Sequence, residues 1–285
     1  MNRVRIFYFK IKNHAIRRIH RKAFKFKSIR KLFAARDSSS ISDNFFFPSF
    51  AKIASASNEF WNFRQSHALH EILEHVSFED GINYIENIIN LGFDYEFIRN
   101  CVKDDTIGNP NVFKYENLGT ACPSTLRYAN VLADLISKFG NLDNFSIIEI
   151  GGGYGGQARL IRNFFPSVDY TIIDLPEVLL LAERYLYESD YRHMFKFVSS
   201  FDFGPMKCDL VISNYAFSEI KREYQFKYLS LIISKSRMGY MIYTDSSTPE
   251  INSLSFAQVL KEIPRSVAIP ESPPTGTRNT LIYWK

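Results

Sequence analysis

The chain has 285 residues with 46% hydrophobic and 23% charged side chains, enough for one large domain or one domain with a helical appendage. Its net charge of +5 conceals an asymmetry: residues 1–36 hold 13 of the 35 Lys and Arg and no acid, which leaves 22 basic against 30 acidic side chains in the body. An acidic body argues against a nucleic-acid groove, the lack of any apolar run of about 18 residues argues against a membrane span, and three scattered cysteines argue against a disulfide framework. The expected location is cytoplasmic, because no signal-peptide pattern opens the chain.

In chain order, residues 1–37 read as a basic amphipathic tail, with Ile11, Ala15 and Ile19 at helical spacing among lysines and arginines. Such a segment suits an anionic membrane surface, at the inner face of the cell membrane, or a partner protein. Residues 38–57, opening on Ser38-Ser39-Ser40-Ile41-Ser42, read as a linker. Residues 58–140 read as a mostly helical region that would cap a substrate, punctuated at Gly81 and Gly92 and looped at Asn109-Pro110-Asn111. Its last helix starts from Ser124 as N-cap, turns Tyr128, Val131, Leu132, Leu135, Ile136 and Phe139 to one face, and stops at Gly140.

From residue 141 to 285 the pattern becomes alternating strands and helices, the mark of a parallel sheet with crossover helices. Strands are predicted at Phe145–Ile150, Asp169–Asp174, Phe195–Ser199, Asp209–Ser213 and Met238–Thr244. Two more, near Ser266–Ile269 and Thr280–Trp284, are joined closely enough to pair antiparallel. The expected fold class is therefore α/β: a Rossmann-like seven-stranded sheet, mostly parallel with a C-terminal antiparallel strand, and an N-terminal helical region.

The most informative segment is Ile147-Ile148-Glu149-Ile150-Gly151-Gly152-Gly153-Tyr154-Gly155-Gly156-Gln157, a buried strand running into a glycine turn and then a helix. Glycines there let backbone approach a ligand. Asp174 closes the next strand, where a carboxylate can accept the ribose hydroxyls of a nucleoside cofactor. Gly151, Gly153 and Gly156 also satisfy the dinucleotide pattern G-x-G-x-x-G, which alone is weak. Glu149 tilts the reading to S-adenosyl-L-methionine, whose sulfonium and amino group suit an acidic loop better than a pyrophosphate does. No separate catalytic domain is expected after the sheet. An NAD(P)-dependent sugar oxidoreductase or epimerase, and a non-catalytic cofactor-binding module of a glycan-assembly complex, remain open alternatives.

On these residues the chain resembles the class I S-adenosylmethionine-dependent methyltransferases, and within them the bacterial sugar O-methyltransferases. The resemblance runs from about Gly119 to Lys285. It rests on Gly119-Thr120-Ala121-Cys122-Pro123-Ser124-Thr125-Leu126-Arg127-Tyr128, the glycine loop, Asp174-Leu175-Pro176, Ser213-Asn214-Tyr215-Ala216-Phe217-Ser218-Glu219, and Asn279-Thr280-Leu281-Ile282-Tyr283-Trp284. It implies methylation of a sugar or glycan hydroxyl in surface-polysaccharide assembly, of capsule or lipopolysaccharide. It also implies that Glu149, Gly151, Gly153, Tyr154 and Gly155 line the methionine end of the cofactor, that Asp174 and Leu175 lie at its ribose, and that Ser200, Phe201 and Asp202 hold adenine. Asn214 joins this cofactor set, and Arg127, Tyr128 and Tyr215 form a substrate-facing set.

A sugar hydroxyl is a weak nucleophile, so a general base is expected beyond the carboxyl ends of the strands. Glu219 and Asp245 occupy that zone, whereas His193 and Asp209 sit at the opposite sheet edge. Plant small-molecule O-methyltransferases share the Asp-Leu-Pro feature and use a histidine after their fourth strand. The matching position is Ser218, so that mechanism does not carry over. His67, His70 and His75 with Glu71 and Glu74 look metal-binding at first sight, but no His-Glu-x-x-His order appears. No metal site is assigned, although the resemblance leaves room for a divalent ion.

Overall fold

The computed structural model describes residues 46–191, 193–245 and 251–285. The predicted basic tail lies outside them.

The segment read as a linker contains helix α1 (Phe46–Ala56), which buries Phe47, Ala51 and Ala54. Its C-terminal carbonyls are taken by Arg184, whose Nη1 donates to the oxygens of Ala54, Ser55 and Ser57 at 3.3, 3.0 and 2.8 Å. That guanidinium lies 4.1 Å from the Phe60 ring centroid. A cation at a helix C-terminus complements both the free carbonyls and the dipole. The partner sits about 130 residues downstream, so no local pattern announced this helix.

A 3₁₀ segment (Asn58–Gln65) and the short α2 (His67–His70) follow, then α3 (Phe78–Asn90) and α4 (Tyr95–Val102). Ser77 and Asp80 start α3 through a reciprocal capping box. Gly81 does not interrupt the chain. It lies inside α3, where a Cβ would sit 2.1 Å from Tyr115 Oη, so its role is close packing. Gly92 does turn the chain, at φ 92°. A hairpin, β1 (Phe113–Tyr115) with β2 (Gly119–Ala121), interrupts the region expected to be helical. Helix α5 (Pro123–Phe139) starts with Cys122 as N-cap and Pro123 in the first turn, not with Ser124, and ends at Gly140.

The main sheet comprises β3 (Ser146–Ile150), β4 (Asp169–Asp174), β5 (Phe195–Ser199), β6 (Cys208–Asn214), β7 (Ser236–Thr244), β8 (Val267–Pro270) and β9 (Asn279–Trp284), in the order β5-β4-β3-β6-β7-β9-β8. All pairings are parallel except those of β9, which runs antiparallel to both β7 and β8. The crossovers carry α6 (Gly156–Phe164), α7 (Pro176–Glu188) and α8 (Arg222–Leu231), and α9 (Phe256–Glu262) precedes β8.

Both faces of the sheet are covered, which is why its strands are near-continuous apolar runs. Ile147, Tyr170, Ile172 and Leu210 pack in the cluster that includes α5 and the N-terminal helices. Ile148, Ile150, Val211, Met241 and Trp284 pack on the opposite face, with Tyr228 and Val259. The order reverses at β3: its neighbours are β4 and β6, so the chain departs in opposite directions at that strand. A crevice opens beyond the carboxyl ends of strands at such a point. Among the described residues no helix is long and apolar enough to cross a membrane.

Candidate functional site

A cavity of about 480 Å³ occupies that crevice, floored by the ends of β3, β4 and β6 and roofed by Phe47, Ile72, Leu73, His75, Val76 and Tyr84 from the N-terminal region. Three of the glycines shape the first bend. Gly151 has φ +77°, and a Cβ there would meet Ala216 Cβ at 2.1 Å. Gly153 has φ +55° and donates its N–H to Asp174 Oδ2 at 2.8 Å. The backbone is thus held open toward the cavity in a conformation that disfavours side chains. Gly152 also lines the wall. Gly155 does not: at φ +91° it is the N-cap of α6, packed under Leu186.

Asp174 is fixed by a second bond, from Leu175 N–H to Oδ1 at 2.7 Å. A carboxylate offers about four acceptor sites, so two used by backbone leave capacity for two ligand hydroxyls. Burial pushes the Asp174 carboxyl up to about 6, against the pull of its two N–H donors. Glu149 is 2% exposed and accepts from Tyr170 Oη at 3.0 Å. Burial raises it to about 7, with the Tyr170 bond opposing and the Asp174 charge adding.

These acids have folded values above their unfolded ones, so between about pH 4 and 7 the native state holds more protons than the unfolded chain. Their contribution therefore favours the ligand-free protein at low pH and is lost as pH rises through the window. His75 is lowered by burial and by Arg127 and offsets part of this. The expected result is a lower urea midpoint at pH 7.5 than at pH 5.5, with a smaller difference in Asp174→Asn. A midpoint that rises equally in both proteins would contradict the assignment.

Further along the wall, Ser200 Oγ and Asn214 Oδ1 are buried with no hydrogen-bond partner. Buried polar atoms are rarely left unpaired, so these two, on residues that line the cavity, call for a polar partner that the described residues do not supply. Tyr215 follows Asn214 with φ 68°, a costly conformation for a bulky residue. It is held by its N–H to Ile242 O at 2.9 Å and by its hydroxyl to Glu271. Glu219, in the 3₁₀ turn Ala216–Glu219, is half-buried on the wall.

The structure therefore brings Glu149, Gly151, Gly153, Asp174, Leu175, Ser200, Asn214, Glu219, Arg127, Tyr128 and Tyr215 to one cavity. It does not bring Tyr154, which is 1% exposed, stacks edge-on with Phe63, Tyr128 and Tyr185, and donates to Glu74 at 3.0 Å. Tyr154 is a core residue, held among these rings and by Glu74. Phe201 is off the wall, 6.2 Å edge-on from Tyr224, and Asp202 is exposed. Tyr224 and Tyr228 from α8 supply the aromatic surface near Ser200 instead. Asp245 is also exposed and accepts from Phe256 N–H at 3.3 Å at the start of α9, while Thr244 reaches the wall. Ser218 is buried and donates its hydroxyl to Tyr215 O.

The wall also holds Asp80, Tyr84, Thr275 and Asn279, none of them expected there from the sequence, and His75, which entered only through a histidine–glutamate cluster given no metal. Asp80, Tyr84 and Thr275 carry no motif, Asn279 only opens the C-terminal strand segment, and all converge through tertiary packing. Among the described residues no group of three or more metal-ligating side chains converges. Glu74 is instead buried against Arg64, at 2.7 Å.

Residues 121–215, which span the glycine loop, Asp174 and Asn214, match the family model of the O-methyltransferase domain. The chain is 34% identical over 86 residues to (RS)-norcoclaurine 6-O-methyltransferase of Coptis japonica, covering 28% of this chain and 24% of that one. It is 26% identical over 182 residues to pluviatolide O-methyltransferase of Sinopodophyllum hexandrum, covering 62% and 46%. The chain thus spans less than half the length of these curated relatives. An O-methyltransferase family protein from Burkholderia thailandensis aligns over 56% of both chains at 14% identity, with a TM-score of 0.41.

Proposed function

With an O-methyltransferase match across the site and the class I methyltransferase sheet as premise, we propose that this chain transfers a methyl group from S-adenosyl-L-methionine to a sugar hydroxyl. The observation that carries the reading is the left-handed bend at Gly151 and Gly153, tied by the Gly153 N–H to Asp174 at 2.8 Å, with all three residues on the wall of one cavity. Ser200 Oγ and Asn214 Oδ1, both without partners, fit a polar nucleoside cofactor beside it. A dinucleotide fits less well. Its pyrophosphate needs the N-terminus of the helix after the bend, and here the Tyr128 ring packs on Gly156, 2.4 Å from where a Cβ would be.

When bound, S-adenosylmethionine supplies a methyl group whose carbon–sulfur bond breaks as the new carbon–oxygen bond forms. The protein's part is orientation and proton removal. Asp174 would grip the ribose hydroxyls, Glu149 the amino group, and Tyr224 or Tyr228 the base. The acceptor end, with Asp80, Tyr84, Tyr215, Thr275 and Asn279, offers the hydroxyl-binding polar groups and flat aromatic surface that suit a sugar. Glycan assembly is the setting we favour for such an acceptor.

Glu219 would accept the acceptor's proton. His75 offers a second reading, because burial and the Arg127 charge hold its imidazole neutral at the cavity wall. The test is transfer of labelled methyl to a panel of sugars and nucleotide-linked sugars, read with Glu219→Gln and His75→Asn. Glu219→Gln is expected to keep cofactor affinity and slow turnover by about tenfold or more. Full turnover in Glu219→Gln with loss in His75→Asn would move the role to the histidine.

A further inference from the structure

The cavity wall carries four acidic side chains, Asp80, Glu149, Asp174 and Glu219, but one permanent cation, Arg127. Arg127 is 7% exposed on α5. Its Nη2 donates to Leu73 O at 2.9 Å, and its guanidinium faces the rings of Tyr128 and Tyr215 at 5.6 and 6.0 Å. Among the described residues no carboxylate lies within ion-pairing distance of it. The acids nearby are committed elsewhere: Glu74 to Arg64, Asp80 to the Ser77 cap, and Glu271 to Tyr215, Thr275 and Asn279. A guanidinium has five donors in a planar fork, and one is used here. A buried charge without a counterion is costly, and a fork of free donors on a cavity wall matches a carboxylate.

We propose that Arg127 seats a carboxylate belonging to a bound reactant, an inference that rests on the methyltransferase reading above. Two reactants can supply that group: the methionine end of the cofactor, or an acid group on the sugar acceptor. The geometry favours the first. Leu73, whose carbonyl orients the guanidinium, also packs over the glycine bend, with Cδ1 2.9 Å from where a Gly153 Cβ would lie. One residue thus touches both the cation and the bend, and Glu149, whose Oε2 lies 3.1 Å from where a Gly152 Cβ would be, suits the cofactor's ammonium at the same bend.

The test is calorimetry on the full chain with S-adenosylhomocysteine and with 5′-methylthioadenosine, which keeps the nucleoside and sulfur but lacks the amino-acid end. Arg127→Gln is expected to weaken S-adenosylhomocysteine by about tenfold or more while methylthioadenosine stays within about twofold. Arg127→Lys, which keeps the charge without the fork, is expected to fall between and gives the same readout if the glutamine variant does not fold. If the preference for S-adenosylhomocysteine is unchanged in both variants, the second arm compares glucuronate with glucose on the S-adenosylhomocysteine complex. Selective loss of glucuronate then assigns the carboxylate to the acceptor. Loss of neither preference overturns the proposal and leaves the methyltransferase reading intact. Failure of the wild-type chain to bind either nucleoside overturns both.

Discussion

Asp174→Ala is expected to weaken S-adenosylhomocysteine binding by roughly 100- to 10,000-fold. Each ribose hydroxyl donating to an ionised carboxylate contributes about 1.5–3 kcal/mol. Two such bonds lost together amount to about 3–6 kcal/mol, at roughly tenfold in affinity per 1.4 kcal/mol. The substitution also frees the Gly153 and Leu175 N–H groups that the carboxylate now holds at 2.8 and 2.7 Å, so the bend itself loosens. Asn at this position separates the two effects, since an amide oxygen can still accept from one backbone donor. Titration calorimetry at pH 8, where the carboxyl at about 6 is ionised, gives the full difference. Unchanged affinity would remove Asp174 from the ribose role.

The largest loss of stability is expected from Arg64→Met. Arg64 is fully buried, with Nε on Glu74 Oε1 and Nη1 on Asp105 Oδ1, both at 2.7 Å, and Nη2 on Cys122 Sγ at 3.1 Å. Its guanidinium also lies 5.3 Å from the Tyr154 ring centroid. Removing one member of a buried charge network strands the others, at about 3–5 kcal/mol. Asp105 would keep Arg159 at 3.4 Å, but Glu74 would keep only the neutral Tyr154 and Cys122 donors. For a domain of this size the melting temperature should fall by about 6–20 °C, at roughly 2–4 °C per kcal/mol. A shift of less than a degree or two would mean that Glu74 titrates or rehydrates freely. Because Glu74 lies between Leu73 and His75 on the roof, S-adenosylhomocysteine affinity should fall as well. In this account the network fixes the cap over the cofactor end.

The sheet was legible in the sequence because its information is local. Runs such as Tyr170-Thr171-Ile172-Ile173 are near-continuously apolar because both faces are covered, and observed strand limits differ from the expected ones by at most two residues. The glycine bend and the acid ending the next strand were legible for the same reason. What failed depended on distant partners. Helix α1 is held by Arg184, and Gly81 is set by Tyr115. Arg64 links residues 74, 105, 122 and 125, none of which shares a motif with it. Position alone misled at Tyr154 and Asp202: one follows Gly153 and the other lies two residues after Ser200, both on the cavity wall, yet Tyr154 is in the core and Asp202 at the solvent.

The most direct check on the cofactor pocket is a thermal melt of the full chain with S-adenosylhomocysteine, NAD or NADP. A ligand at about 100 times its dissociation constant adds about 2.7 kcal/mol to the native state, a rise of roughly 5–10 °C. The account predicts that rise with S-adenosylhomocysteine and none with either dinucleotide. Stabilisation by a dinucleotide alone would contradict it.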